Sequence, residues 1–367
     1  MKLNLKFDPE HPFNNAGFWI ILILMLICSG LIFIKAEKAG YEKTSLVKTL
    51  GQAQINKETA TPPPPALDKE AYDQKLMEIA NLPAVSSTTP SSTTSSLWPV
   101  KAAYPEYGAL LPFNRIVAYY GNLYSKNMGV LGEYPEDEML ARLETEVKKW
   151  EEADPNTPVV PALHYIAVVA QAGPGRDGKY RARMPDEEID KVLAMAKKVD
   201  ALVFLDIQVG LSDVRFEIPI LEKYLRLPNV HLGIDPEFSM KSGDRPGTVI
   251  GTLDADDINF AAEYLAKIVN DNRLTPKILV IHRFTQAMVT NYKDIKPLPE
   301  VQVVMDMDGF GGQASKLNTY EQYIRKQPVQ FTGFKLFYKN DNANGHTMFA
   351  PAALLKLSPI PVYIQYQ

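Results

Sequence analysis

Between Tyr104 and Gln367 the sequence keeps one rhythm: a short apolar run rich in β-branched residues, then a longer amphipathic or loop-forming stretch. Eight such runs occur, at Arg115–Gly121, Pro158–Ile166, Ala201–Val209, Val230–Phe238, Lys277–Phe284, Val301–Asp308, Gln330–Tyr338 and Pro361–Tyr366. Helices are expected near Asp137–Ala153, Pro185–Val199, Val214–Leu227, Ala255–Asn272 and Ser315–Lys326, with a Gly-rich loop at Gly173–Gly178. Asp186 and Glu187 fall in the first turn of the second of these helices, where acidic groups suit the helix dipole. Runs that are apolar on both faces fit strands wedged between an inner core and an outer layer of helices. Eight of them in about 260 residues match the size and order of a (β/α)8 barrel, the TIM-barrel architecture of the α/β class. An open doubly wound sheet would place a Gly-rich phosphate turn after its first strand. Gly121-Asn122-Leu123-Tyr124-Ser125 is not such a turn.

In a barrel of this kind the active site lies at the C-terminal ends of the strands, so the decisive question is where each run turns polar. The first ends in Tyr119, Tyr120 and Asn122, the second at His164 and Tyr165, and the third in Asp206 and Gln208. The fourth ends in Asp235 and Glu237, the fifth in His282 and Arg283, and the sixth in Asp306 and Asp308. The seventh ends in Lys335, Tyr338 and Lys339, the eighth in Gln365 and Tyr366. Polar groups thus gather at one rim. Asp235 and Glu237, two apart on an expected strand, share a face. Their mutual repulsion raises one pKa, the condition for a general acid near neutrality. Tyr120, His164, Asp206, Gln208, His282, Asp306, Lys335, Tyr338 and Gln365 are the candidate substrate contacts. Arg283 and Lys335 also read as partners for buried acids, and His164 reads equally well as a satisfied core histidine. His231, early in its run, reads as structural.

The N-terminal part is of another kind. Pro12 to Ile34 contains no charged side chain, and as a helix its 23 residues would reach roughly 34 Å, enough to span a bilayer core. Residues 1–40 are therefore expected to be a single-pass membrane anchor rather than a cleaved signal peptide, whose apolar stretch is shorter. Residues 41–103, with Pro62–Pro65 and the Ser/Thr run Ser86–Ser96, are expected to be a flexible spacer, interrupted by a helical patch at Asp68–Ala80. The lysines flanking the apolar stretch point its C-terminal side inward, whereas the stalk-like spacer favours export. The expectation adopted is an extracytoplasmic barrel, residues 104–367. The net charge is -4 with no basic block, so nucleic acid is not an expected partner. The one cysteine, Cys28, lies in the anchor and leaves the barrel without a thiol ligand or nucleophile.

Three short motifs resemble those of family 18 glycoside hydrolases, the chitinase-like barrels. Asp235-Pro236-Glu237 resembles that family's D-x-E, Met305-Asp306-Met307-Asp308 its M-x-Y-D, and Val117-Ala118-Tyr119-Tyr120-Gly121 its opening strand. The resemblance implies that Glu237 protonates the glycosidic oxygen, that Asp235 is its partner in orienting an N-acetyl group, and that Asp308 is a supporting acid. The sequence departs from the family in three places. Gly233 stands where an aspartate would, Met307 where a tyrosine would, and no tryptophan closes the last strand.

The expected activity is hydrolysis of a cell-wall or other extracytoplasmic glycan, a polysaccharide or peptidoglycan-like polymer, by carboxylate acid catalysis. Two readings compete. His164, Asp206, Asp235, Glu237, His282, Asp306 and Asp308 could hold a metal in a phosphodiesterase-like hydrolase, but no H-x-H or H-x-x-E spacing occurs, and neither metal nor cofactor is expected. The other is a non-catalytic glycan-binding or scaffold barrel, which Met307 and the missing tryptophan permit.

Overall fold

The computed structural model describes residues 66–82 and 97–367. The expected anchor at residues 12–34 and most of the spacer lie outside them, and among the described residues no helix is long and apolar enough to cross a membrane. Eight parallel strands form a closed barrel: β1 (Arg115–Gly121), β2 (Val159–Ala170), β3 (Leu202–Ile207), β4 (Val230–Ile234), β5 (Lys277–Arg283), β6 (Val301–Met307), β7 (Phe331–Leu336) and β8 (Tyr363–Tyr366). Each pairs with the next, and β8 returns to β1 in the register Ile116↔Tyr363 through Tyr119↔Tyr366. The short segment Arg181–Arg183 adds an antiparallel rung to β2.

Helix α1 (Lys69–Ala80) precedes the barrel, and α2 (Glu136–Ala153), α3 (Asp186–Lys198), α4 (Val214–Ile220), α5 (Ala255–Asn272) and α6 (Gln313–Thr319) pack outside it. The start of α5 follows from its sequence. Asp254 accepts from the Asp256 N–H at 3.2 Å, and Asp257 accepts from the Asp254 N–H at 2.9 Å, so two otherwise orphaned donors are satisfied. The expected helix at Val214–Leu227 is broken in two, with Pro219 inside α4 and a second turn at Glu222–Leu225. The β5–β6 connection holds the short strand Val289–Thr290 and a 3-10 turn instead of a long helix. The β7–β8 connection holds only the short helix Pro351–Leu354 and a 3-10 turn.

Two cores result from the alternation of side chains along the strands. The outer one lies between strands and helices and includes Leu143, Trp150, Val192, Leu205, Leu265 and Met307. The inner one fills the lower barrel with Ile116, Ala118, Ala162, Phe204, Ile278, Val280, Val304 and Phe331.

Helix α1 closes the N-terminal end of the barrel. Its Tyr72 joins the inner core, 4% exposed, with its ring edge-on to Phe113 and Tyr104 at 6.0 and 5.8 Å. The Ile360 N–H donates to Ile79 O at 2.7 Å, and the Asn81 amide donates to Leu357 O at 2.9 Å. Residues 66–82 therefore belong to the packed barrel. The helical patch is where the sequence places it, but its apolar side is docked rather than held in solvent. Truncating a buried aromatic costs about 3–5 kcal/mol, so Tyr72→Ala is expected to lower the unfolding free energy by about 3 kcal/mol, measured by urea titration.

Candidate active site

The inward face of every strand but β4 changes from apolar to polar towards the C-terminal rim. Tyr120, His164, Asp206, His282, Asp306, Lys335 and Gln365 follow the inner-core residues of their strands, and Gln208, Asp235 and Asp308 stand just past the ends of theirs. Asp206 and both imidazoles have no exposed surface. Asp206 Oδ1 lies 3.5 Å from His164 Nε2 and 3.5 Å from His282 Nε2, and its Oδ2 accepts from the Tyr120 hydroxyl at 3.1 Å. His282 Nδ1 faces Asp308 Oδ2 at 3.0 Å, and Lys335 Nζ lies 2.9 Å from Asp308 Oδ1 and 3.9 Å from the centre of the Tyr120 ring. His164 Nδ1 meets the Tyr363 hydroxyl at 2.5 Å and the Gln365 amide at 3.0 Å.

The expected pairing of Asp235 with Glu237 on one strand face does not occur. β4 stops at Ile234 because Pro236 opens a 3-10 turn, and Asp235 caps that turn by accepting from the Glu237 N–H at 3.0 Å. Asp235 also accepts from the Gln208 amide at 3.3 Å and is buried, while Glu237 is half-buried at the mouth. The two carboxyls still share one electrostatic environment. Burial pushes Asp235 up to about 7, and Asp206 and Asp308 add to the shift. Burial, then the charges of Asp235 and Asp308, hold Glu237 well above the usual carboxylate range. Asp308 goes the other way: burial would raise it, but Lys335 and His282 outweigh burial and keep it ionised.

Gly233 faces the same interior. A Cβ there would meet His164 Nε2 at 2.4 Å and Asp206 Oδ1 at 2.5 Å, so the space that an aspartate would take is filled from β2 and β3. Gly333 plays the same part beneath Asp306, whose Oδ1 would lie 2.5 Å from a Cβ. Met307 is fully buried in the outer core, facing away from the rim.

Several of the candidate residues do other work. Tyr338 stands outside the cluster, stacked on Tyr366 at 5.3 Å with its hydroxyl 3.0 Å from that of Tyr119, because the in–out alternation ends with β7 at Leu336. Gln365 has no exposed surface and supports His164 rather than facing the mouth. Among the described residues Arg283 pairs with no acid and instead donates to the carbonyls of Thr285, Gln286, Val289 and Tyr323 and to the Gln327 amide oxygen. His231 is structural, accepting from the Ile278 N–H at 3.0 Å. Tyr363, which orients His164, escapes notice in the sequence, where its only signal is its position two residues before Gln365.

No family model matches this chain, and no curated protein matches it. Solved structures resemble its outline. One is ZgEngAGH5_4 in complex with a cellotriose, 11% identical, covering 70% of this chain and 88% of its own, with a TM-score of 0.37. Another is the YdhT protein from Bacillus subtilis, 12% identical over 70% of this chain and 81% of its own, with a TM-score of 0.37. A third is a GH18 chitinase from Pseudoalteromonas aurantia, 12% identical over 69% of this chain and 93% of its own, with a TM-score of 0.33. Likeness at this level adds nothing to what the strand pairings establish about the fold.

Two outcomes follow from this geometry. Asp235 titrates near 7 in the folded chain and near 3.9 unfolded, so its contribution to stability is full below about pH 4 and lost as pH rises through about 7. Urea unfolding at pH 5 and pH 8 is expected to show a larger loss of stability over that interval for the wild type than for Asp235→Asn. Gly233→Ala should lower stability by about 1–3 kcal/mol through overpacking, read as a fall in Tm.

Proposed function

We propose that this barrel is a glycoside hydrolase acting on an extracytoplasmic glycan, with Glu237 as general acid. The observation that supports the reading is one mouth holding two carboxyls whose environments drive their pKa values apart. Glu237 is kept protonated and half-exposed, while Asp308 is kept ionised by Lys335 and His282. This is the division of labour that glycosidic cleavage needs. In the proposed step the Glu237 O–H gives its proton to the glycosidic oxygen, and the C–O bond breaks with its electron pair leaving on that oxygen. The positive charge that develops on the sugar carbon is met by Asp308. Water then adds to that carbon and its proton returns to the Glu237 carboxylate. Asp235 places Glu237 through the backbone of the turn that it caps. Gln208 and Tyr120 reach the sugar from the rim, and Asp206, Asp306 and the two imidazoles set the field beneath it.

The uncharged stretch at residues 12–34 and the Pro/Ser/Thr-rich segment after it support an anchored barrel held outside the cytoplasm. A panel of polysaccharides and peptidoglycan, assayed by reducing-sugar release, tests the activity. Removing a general acid costs about 100- to 10,000-fold, so Glu237→Gln is expected to lose at least about 100-fold in kcat with an unchanged urea midpoint. Equal release by mutant and wild type would refute Glu237 as the acid.

A further inference from the structure

At the floor of the mouth, three buried ligand atoms from three strands point at one another without hydrogen-bonding. His164 Nε2, His282 Nε2 and Asp206 Oδ1 are each buried and without a hydrogen-bond partner, and they all lie within 4.8 Å of one another. Orphaned buried polar atoms are costly, and three facing one point call for a common partner. We infer that these atoms form a site for one divalent transition-metal ion of the zinc class.

Two of the three spacings match those of ligands around such an ion. Bonds of about 2.1 Å at tetrahedral angles put neighbouring ligand atoms about 3.4 Å apart, and both imidazole nitrogens lie 3.5 Å from Asp206 Oδ1. At 3.5 Å they are too far apart for good hydrogen bonds. Two imidazoles and one carboxylate suit zinc and its neighbours better than magnesium or calcium, which prefer oxygen alone. Three protein ligands also leave a fourth position for a water or substrate oxygen, the pattern of open zinc sites.

The far atoms of Asp206 and His164 have hydrogen-bond partners, as those of metal ligands usually do, and that of His282 faces a carboxylate. Asp308 Oδ2 lies 3.0 Å from His282 Nδ1, the Tyr120 hydroxyl donates to Asp206 Oδ2 at 3.1 Å, and the Tyr363 hydroxyl meets His164 Nδ1 at 2.5 Å. For His164 to bind through Nε2 its proton must sit on Nδ1. Gln365 can support that tautomer: its Oε1 has no partner, and a half-turn of the amide brings that oxygen to Nδ1. Gly233 completes the argument, since any side chain there would occupy the space of two of the three ligand atoms.

The test is metal binding by the full-length protein in detergent, stripped with a chelator and titrated with Co2+ and with Zn2+. One equivalent per chain is expected, with the visible d–d absorption of four- or five-coordinate cobalt. Asp206→Asn and His282→Gln should lose that equivalent. Asp308→Asn should weaken binding about 10- to 100-fold, and Glu237→Gln should bind as the wild type does. A wild-type chain that takes up neither metal stoichiometrically overturns the proposal, as does unaltered binding by both ligand variants. Should those variants fail to fold by circular dichroism, X-ray absorption on the zinc-loaded wild type decides. Two imidazoles in the shell support the site, and an all-oxygen shell overturns it.

Discussion

A carboxylate with no exposed atom must be compensated where it stands, and the upper half of this barrel is arranged around that demand from Asp206. Two imidazoles approach one of its oxygens and a tyrosine hydroxyl holds the other. His282 passes the constraint on to Asp308, and Asp308 to Lys335, so the polar tips of five strands (β1, β2, β3, β5 and β7) and the residue just past β6 form one connected network. Because the strands are parallel and closed, all these groups must meet on the axis. Gly233 and Gly333 are where the wall gives way so that they can.

Below this layer the barrel is ordinary, and it was the ordinary part that could be read from sequence. β1, β5 and β6 lie within a residue of the apolar runs that announce them, since strands buried on both faces leave a continuous signal. The convergence of polar residues at one rim was legible for the same reason: alternation carries a fixed face along each strand. Where alternation stops, the reading fails. Pro236 ends β4 at Ile234, three residues before Glu237, so the two acids meet through a capped turn rather than across a strand face. Tyr338 lies past the end of β7, and its ring joins the outer packing.

Other features were hidden because they depend on residues distant in the chain. Nothing near Asp68–Ala80 shows that Tyr72 packs on Phe113 or that Ile79 receives a hydrogen bond from Ile360. The cluster at the floor of the mouth is likewise drawn from β2, β3 and β5, each separated from the next by a helical connection. Ligand motifs with short spacing record sites built on one helix or hairpin. A barrel assembles its centre from single residues, one strand at a time, and leaves no such local trace.

Docking of α1 under the barrel gives the molecule a direction. The chain joins the folded body at the N-terminal strand ends, so whatever lies upstream of residue 66 is attached to the pole opposite the mouth. Residue 66 and the mouth therefore lie at opposite ends of the barrel.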